Sequence, residues 1–396
     1  NRFLLLLFVQ HQMFKLIGCV GLALLAQAGA FNITQVHIAY GNNASTKMSV
    51  AWLSESNESM TVSFGTSETA LTQQSTPASV NRYTIDNNYW GPSFNITVFP
   101  NYTSNWIHAT NLTDLEPFTQ YFYQVAGVSK IFNFTTALAP GHTRPDGKAQ
   151  IFSIVGDIGQ TSDSRLTMRH MMGEEHKTDA VIIIGDLSYA DCDQPRWDSS
   201  GDMFEPLAAN HPFMVCPGNH EIEWFANDRP TFLAFESRYF MPQIAPAKGL
   251  SGHISWQANT DDMNDDDVPA ADTWCTPSEF RGQYEYGNAF YSYTVGLVHF
   301  VSMNCYGPTS PGSAQYEWLE EDLSSVNRDV VPWVVAYFHC PWYSSNVWHF
   351  NEWQTTEMRA NMEDLFVEYE VSIVFSGHVH AYQRSYPTYN KEVQAR

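Results

Sequence analysis

The chain reads as an all-β sandwich followed by an α/β domain. Three observations predict this order. Between residues 31 and 137 the apolar side chains fall in short alternating or aromatic-rich runs with polar turns between them: VHIAYG, KMSVAWLS, SMTVSFG, NRYTIDN, NWIHATNLTDL and QYFYQVAG. The Pro/Gly-rich stretch 138–149 ends that pattern and reads as a linker. From residue 150 strands alternate with helical periods: IFSIVGD, a helix within 161–177, then VIIIGD, with Asp157 and Asp186 about one βαβ unit apart.

Ahead of the sandwich, residues 1–30 read as a targeting segment. Met13 opens MFKLIGCVGLALLAQAGA, whose basic head, apolar core and small-residue exit at Ala28-Gly29-Ala30 form a secretory signal peptide cleaved after Ala30. Residues 1–12 are either an untranslated leader or part of an extended signal. Seven N-x-S/T sequons, at Asn32, Asn43, Asn57, Asn95, Asn101, Asn111 and Asn133, all precede residue 135, so N-glycans are expected on the sandwich. Within it, LTDLEPFTQYFYQV resembles the tyrosine corner of fibronectin type III-like sandwiches. The module (31–137) is expected to support the protein without chemistry of its own.

In the second part, PFMVCPGNH is a further strand and DRPTFLAFESRYFMP is partly helical. NTDDMNDDDVPAAD reads as an acidic surface loop, since the register of a calcium loop fails there. NAFYSYTVGLVHFVSMN forms two strands joined at Gly296. Tyr316, Leu319, Leu323 and Val326 keep helical spacing, and Val331–His339 is a strand with Pro332 at its start or on a sheet edge. Met358, Met362, Leu365, Phe366 and Tyr369 mark a helix before the strand in VSIVFSGHVH.

Hydrophobic residues make up 44% of the chain and aromatic ones 14%, ample for a large core. With 42 acidic and 20 basic residues the formal charge is −22, which argues against nucleic acid or an anionic membrane as partner. A small anionic substrate stays open, because bound cations reverse the potential locally. Once the signal is removed, Cys192, Cys216, Cys275, Cys305 and Cys340 remain, an odd number that leaves at least one unpaired within the chain.

Five apolar runs end in residues that ligate metals. They deliver Asp157, then Asp186 with Tyr189, then Asn219 with His220, then His339, and last His378 with His380. In open α/β sheets, positions just past the carboxyl ends of strands are where sites are built. Carboxylate, phenolate, amide oxygen and imidazole suit iron, manganese and zinc, and the lack of a thiolate cluster argues against iron–sulfur or Cys-type zinc chemistry. His378-x-His380 at a strand end can aim one imidazole at each of two metals.

GDIGQ, GDLSYAD, GNHE, the HCPWY run from His339 and GHVHAY together resemble the motif set of the purple acid phosphatases, which are binuclear metallophosphoesterases. The resemblance covers residues 31–396, and Tyr189, three positions after Asp186, separates that family from plain metallophosphoesterases. It implies a large form with an N-terminal fibronectin type III-like module and a catalytic domain (150–396) of two sheets flanked by helices. It implies that Asp157, Asp186, Tyr189 and His380 hold a ferric ion, Fe(3+). Asp186, Asn219, His339 and His378 would hold a divalent ion (Zn, Mn or Fe), with Asp186 as the bridge. A hydroxide held at the metals would attack phosphorus in line with the leaving alcohol. His220 and His349 are the candidates for phosphate contact or for protonating the leaving group. Two positions depart from the family: Trp348 stands where a second histidine is found, and Gln383 where an acidic residue is common.

The function expected is a secreted acid phosphatase, extracellular or in the secretory pathway or vacuole, that acts on small phosphomonoesters; a homodimer is allowed. The alternatives are a phosphodiesterase or nucleotide pyrophosphatase on the same scaffold, and a catalytically weak, truncated form acting as a binding protein. Such domains continue with strands that complete the second sheet, so the chain is expected to be truncated at Arg396 and its catalytic domain incomplete.

Overall fold

Alternating side chains build two facing antiparallel sheets in the first part of the computed structural model, which describes residues 32–85, 100–173, 178–223, 231–242, 275, 284–349 and 351–394. The predicted signal peptide, the Asn95 sequon and the acidic loop lie outside the described residues. The strands are β1 (Ile33–Tyr40), β2 (Met48–Ser54), β3 (Val62–Gly65), β4 (Gln73–Gln74), β5 (Ser79–Asn81), β6 (Thr84–Ile85), β7 (Tyr102–Thr103), β8 (Trp106–Leu112), β9 (Gln120–Val125) and β10 (Phe132–Thr135). One sheet has the order β1-β2-β8-β5 and the other β10-β9-β3-β4, while β6 pairs with β7. In β9 the period of two sends Tyr121, Tyr123 and Val125 into the core, where Tyr121 stacks on Phe134. The Tyr121 hydroxyl also accepts the N–H of Glu116 at 3.0 Å, the contact that a tyrosine corner makes.

The second part begins with β11 (Phe152–Val155), α1 (Ser162–Met172), β12 (Ala180–Ile184), α2 (Pro195–Ala208), β13 (Phe213–Cys216) and α3 (Leu233–Arg238). It continues with β14 (Tyr291–Val295), β15 (Val298–Ser302), α4 (Ala314–Ser325), β16 (Trp333–Phe338), α5 (Trp353–Glu368), β17 (Ile373–Ser376) and the short pair β18 (Thr388–Tyr389) and β19 (Glu392–Val393). β11-β12-β13 form a parallel sheet, in which the unbroken AVIII run of β12 is the middle strand and buried throughout. The second sheet has the order β14-β15-β16-β17, parallel apart from the β14–β15 hairpin. The two sheets face each other: the Phe152 ring meets Phe300 at 4.8 Å, and the Tyr291 hydroxyl donates to the Val215 carbonyl at 2.7 Å. Thr161 caps α1, its hydroxyl accepting the Ser164 N–H at 3.2 Å.

The structure departs from the sequence reading in three places. No element was expected between Cys192 and Pro212, yet α2 occupies much of it. Pro195 opens this helix, where a missing N–H costs nothing, but Gly201 and Pro206 obscure its period. Pro332 precedes β16, which lies between β15 and β17, so of its two readings the strand start holds and the edge does not. The edge is β17, and its apolar run is not buried: Ile373 is 46% and Val374 41% exposed.

The sandwich is joined to the second part by buried polar contacts along β1 and α2. The Gln35 N–H donates to the Glu205 carboxylate at 2.7 Å, and the Tyr123 hydroxyl to the Ala209 carbonyl at 2.6 Å. Arg238, at the end of α3, is buried between the two parts. Its guanidinium donates to the Tyr83 hydroxyl (3.0 Å), Gln35 Oε1 (3.1 Å), the Tyr102 hydroxyl (2.7 Å) and Asp198 Oδ1 (2.9 Å).

Two buried carboxylates stitch loops near the site. Glu223 accepts the Cys192 N–H (3.2 Å), Gln194 Nε2 (2.9 Å) and Trp197 Nε1 (3.1 Å). Glu236 accepts the Asn288 N–H at 2.8 Å and the Tyr284 hydroxyl. Burial pushes both carboxyls up to about 7. A raised carboxyl binds more protons in the native state than in the unfolded chain. Its contribution is therefore complete below the ordinary carboxylate range and is lost as pH rises through about 7.

Two outcomes follow. Arg238→Met strands Gln35 Oε1 and the Tyr83 hydroxyl, while the Tyr102 hydroxyl keeps Asp198 and Asp198 stays partly solvated, and should lower unfolding free energy by about 3 kcal/mol in urea titrations. In metal-free melts between pH 5 and 7.5, Glu236→Gln should make the melting temperature fall less steeply with pH than wild type; equal slopes would contradict the buried-carboxyl account.

Candidate metal centre

Four of the residues that the strand ends deliver share one backbone device. Asp157, Asp186, Tyr189 and His378 take positive φ, at 56°, 55°, 49° and 68°. For residues with a Cβ this left-handed conformation costs about 1–2 kcal/mol each, so neighbouring bonds must hold it. The glycines beside them are there for close approach. A Cβ on Gly185 would lie 2.4 Å from His339 Nδ1, and one on Gly218 would lie 2.2 Å from Asp186 Oδ1.

The restraining bonds come from carboxylates. Glu221, fully buried in the 3-10 turn Asn219–Glu221, accepts the N–H groups of Asp186 (2.8 Å), Leu187 (2.9 Å) and Gly218 (2.8 Å). Burial and the nearby Asp186 charge push its carboxyl up to about 8, against the pull of those N–H groups. The Asp186 carboxylate in turn accepts the His220 N–H at 3.0 Å, and the Asp157 carboxylate accepts the His378 N–H at 2.9 Å and 3.1 Å.

His339 is fully buried. Its Nδ1 lies 2.8 Å from the Ile184 carbonyl and must donate to it, which leaves Nε2 as the inward atom. That Nε2 stands 3.1 Å from Asp186 Oδ2, 3.8 Å from Asp157 Oδ1 and 3.2 Å from His378 Nδ1. His378 Nε2 faces outward to Glu352 Oε2 at 2.8 Å. Two imidazole lone pairs and a carboxylate oxygen thus converge, an arrangement that repels itself unless a cation sits among them. In the absence of any other cation a proton serves: burial would lower the His339 pKa, but Asp186 and Asp157 carry it up to about 10. Burial would also raise the Asp186 carboxyl, yet His339 and His220 hold it well below the usual range. Asn219 adds a buried Oδ1 with no hydrogen-bond partner among the described residues.

On the other side of Asp186, the Tyr189 hydroxyl lies 3.0 Å from His380 Nε2, which is 3.3 Å from Asp157 Oδ1. Burial, then Asp186 and Asp157, push the Tyr189 phenol far above its ordinary pKa, so only a bound cation would ionise it. His380 is exposed. The ligand atoms of Asp186, His339 and His378 lie within 4.8 Å of one another, as do those of Asp157, Asp186 and His380. Asp186 is common to both groups, and the donor set fits two hard or borderline cations.

His220 and His349 flank this centre. His220 Nδ1 is 2.6 Å from Asp191 Oδ1, its Nε2 is 3.8 Å from Asp186 Oδ2, and its ring centroid is 4.1 Å from that of Tyr189. Burial lowers its pKa, but the Asp191 bond and the Asp186 charge outweigh this and raise it. His349, half-buried, sets its ring 3.9 Å from that of His378, and its Nδ1 lies 2.5 Å from Glu352 Oε1. Trp348 beside it is 70% exposed. Gln383 bonds to no ligand residue; it accepts the Ser344 hydroxyl at 3.1 Å and donates to Ser345.

Sequence reasoning assigned no role to Glu221 or Glu352. Glu221 was visible only as the last letter of GNHE, and Glu352 as one acid in a polar loop. The cysteines pair as Cys192–Cys275 and Cys305–Cys340, and the odd one is buried Cys216 at the end of β13. The second bridge begins one residue after His339 and ties that strand end to the segment after β15.

Comparison with known proteins agrees with this geometry. The calcineurin-like phosphoesterase family model matches residues 152–382, and the purple acid phosphatase N-terminal domain model matches 33–136. Purple acid phosphatase 21 of Arabidopsis thaliana is 36% identical over 293 residues, covering 74% of this chain and 56% of that protein. Probable purple acid phosphatase 20 of the same plant is 32% identical over 355 residues, covering 88% of this chain and 68% of that protein. Its Fe(3+)-Zn(2+) purple acid phosphatase 12 is 33% identical over 358 residues, covering 89% and 64%. The purple acid phosphatase isolated from yellow lupin (Lupinus luteus) seeds shares the fold, with a TM-score of 0.68 at 22% identity over 92% of this chain and 61% of that one. The chain thus spans little more than half the length of the first of these curated relatives. With an N-terminal match, a phosphoesterase match and a relative more than two-thirds covered, the chain belongs to the purple acid phosphatase family.

Proposed function

We propose that this chain is a secreted acid phosphatase that hydrolyses small phosphomonoesters at a binuclear centre. The observation that carries the reading is the pair of ligand groups sharing Asp186, together with the buried Asn219 Oδ1, which has no partner among the described residues and is next in the chain to His220. Asp157, Asp186, Tyr189 and His380 would hold Fe(3+). Asp186, Asn219, His339 and His378 would hold a divalent ion, zinc, manganese or iron. When bound, the pair supplies positive charge to the phosphoryl oxygens and acidifies a water molecule.

The chain's own groups do the rest. Tyr189 and the carboxylates are hard donors that favour the trivalent ion. His220, oriented by Asp191 at Nδ1, presents Nε2 toward the phosphoryl group and stays protonated through the acidic range. As the ester P–O bond breaks and water oxygen bonds to phosphorus, the departing alkoxide takes a proton from His220 or His349, and inorganic phosphate and alcohol result.

On this reading the sandwich (31–137) is fibronectin type III-like, 138–149 is the linker, and the catalytic domain, two sheets flanked by helices, starts at residue 150. Secretion is supported by the signal-like N-terminal segment, the two disulfides and exposed sequons at Asn43, Asn57, Asn101 and Asn111.

Turnover of p-nitrophenyl phosphate at pH 5 should exceed that of bis(p-nitrophenyl) phosphate at least tenfold; the reverse order would point to a phosphodiesterase. Two bound metals with no turnover of either ester would point to a binding protein. Tyr189→Phe should abolish a tyrosinate-to-iron absorption band while the chain still binds iron, and a persisting band would remove Tyr189 from the ferric site.

A further inference from the structure

Glu352 stands at the N-terminal end of α5, in neither of the two ligand groups that share Asp186. It is mostly buried, and each of its carboxylate oxygens meets a different histidine: Oε2 lies 2.8 Å from His378 Nε2, and Oε1 lies 2.5 Å from His349 Nδ1. The two rings pack on one another with centroids 3.9 Å apart. A carboxylate accepts at both oxygens, so both facing nitrogens carry protons. The consequence differs for the two rings. His378 is left with a bare Nδ1, the atom that looks toward His339 and Asp186. His349 is left with a bare Nε2, pointing away from Glu352.

We infer that Glu352 is a positioning residue that fixes which ring nitrogen of each histidine carries the proton, leaving Nδ1 of His378 for the divalent ion and Nε2 of His349 free to take up the further proton that a donor needs. This rests on the two-ion reading above. His339 makes the opposite choice, with its proton on Nδ1 toward the Ile184 carbonyl and Nε2 inward. The two imidazoles of one ion would thus be fixed through different nitrogens by different acceptors, one a backbone carbonyl and the other a side chain. Such outer acceptors orient the ring and raise the basicity of the ligating nitrogen, and their loss costs about 10–100-fold in metal affinity.

A competing reading takes His349, Glu352 and His378, whose donor atoms also lie within 4.8 Å, as ligands of an additional ion. It would require His378 to give up both ring nitrogens to cations, and therefore to lose its last ring proton. The acceptor role needs neither.

Glutamine at position 352 has one acceptor and one donor, so it can satisfy only one of the two N–H groups. The test is made on the full chain, first stripped and then loaded with ferric ion, by titrating zinc against a competing chelator. Glu352→Gln should lower zinc affinity by about 10–100-fold and leave ferric content and the visible absorption band unchanged. His349→Ala should alter zinc affinity less than about twofold, since His378 keeps its acceptor. Unchanged zinc affinity in Glu352→Gln overturns the inference, and so does equal loss of both ions. A loss in His349→Ala as large as in Glu352→Gln makes His349 a ligand and also overturns it. If wild type itself binds no second ion, the binuclear reading fails instead. Should Glu352→Gln not fold, ¹⁵N shifts of the wild-type imidazoles decide: the inference needs the proton on His378 Nε2 and on His349 Nδ1, and either opposite tautomer refutes it.

Discussion

Three backbone N–H groups, from Asp186, Leu187 and Gly218, converge on the buried Glu221 carboxylate, and the centre depends on that convergence. It ties the chain after β12 to the chain after β13, two neighbouring strands whose pairing alone would not fix the loops beyond them. With those loops joined, Asp186 is held in a conformation it would not choose, and its carboxylate meets His339 on one side and the His220 backbone on the other. A neutral acceptor could make the same contacts. Burial and the Asp186 charge push Glu221 itself toward that neutral form, its carboxyl being raised to about 8.

The described residues of the sandwich contribute no donor to either ligand group, yet it is not loosely attached. β1 packs along α2, and Arg238 binds residues of the sandwich together with Asp198 of α2. From α2 the linkage continues inward. Gln160 bonds the Ser188 and Arg196 carbonyls at 2.6 and 2.8 Å, and Glu223 gathers Cys192, Gln194 and Trp197. Tyr189 and Asp191 lie on the segment these bonds confine. The first module therefore buttresses the loop that carries the phenol and the carboxylate that orients His220.

Much of this was legible in the sequence because it is written in periods and endings. Alternation marked the sandwich strands, and unbroken apolar runs marked β12 and β16. Side chains with donor atoms immediately after those runs marked Asp157, Asp186, Asn219, His339 and His378 as neighbours in space. What stayed hidden has no period. α2 was obscured by Gly201 and Pro206, and the exposure of β17 depends on its place at a sheet edge. Glu221 and Glu352 act through partners that only the fold supplies, backbone N–H groups in one case and two histidines in the other. The pairing of Cys192 with Cys275, 83 residues apart, and of Cys305 with Cys340, 35 apart, is likewise a property of the folded chain.

The contact between Asp157 and the His378 N–H closes a span of 221 residues, and the one between Tyr189 and His380 a span of 191. A polypeptide emerges from the ribosome or a translocation pore in order, N-terminus first. The sandwich and the parallel sheet are available early, but neither ligand group is whole until the turn after β17 has arrived and docked. A complete donor set therefore forms only after both sheets have been made. By then the Asp186 backbone is already held by Glu221, and the turn after β17 brings both His378 and the N–H that fixes the Asp157 carboxylate.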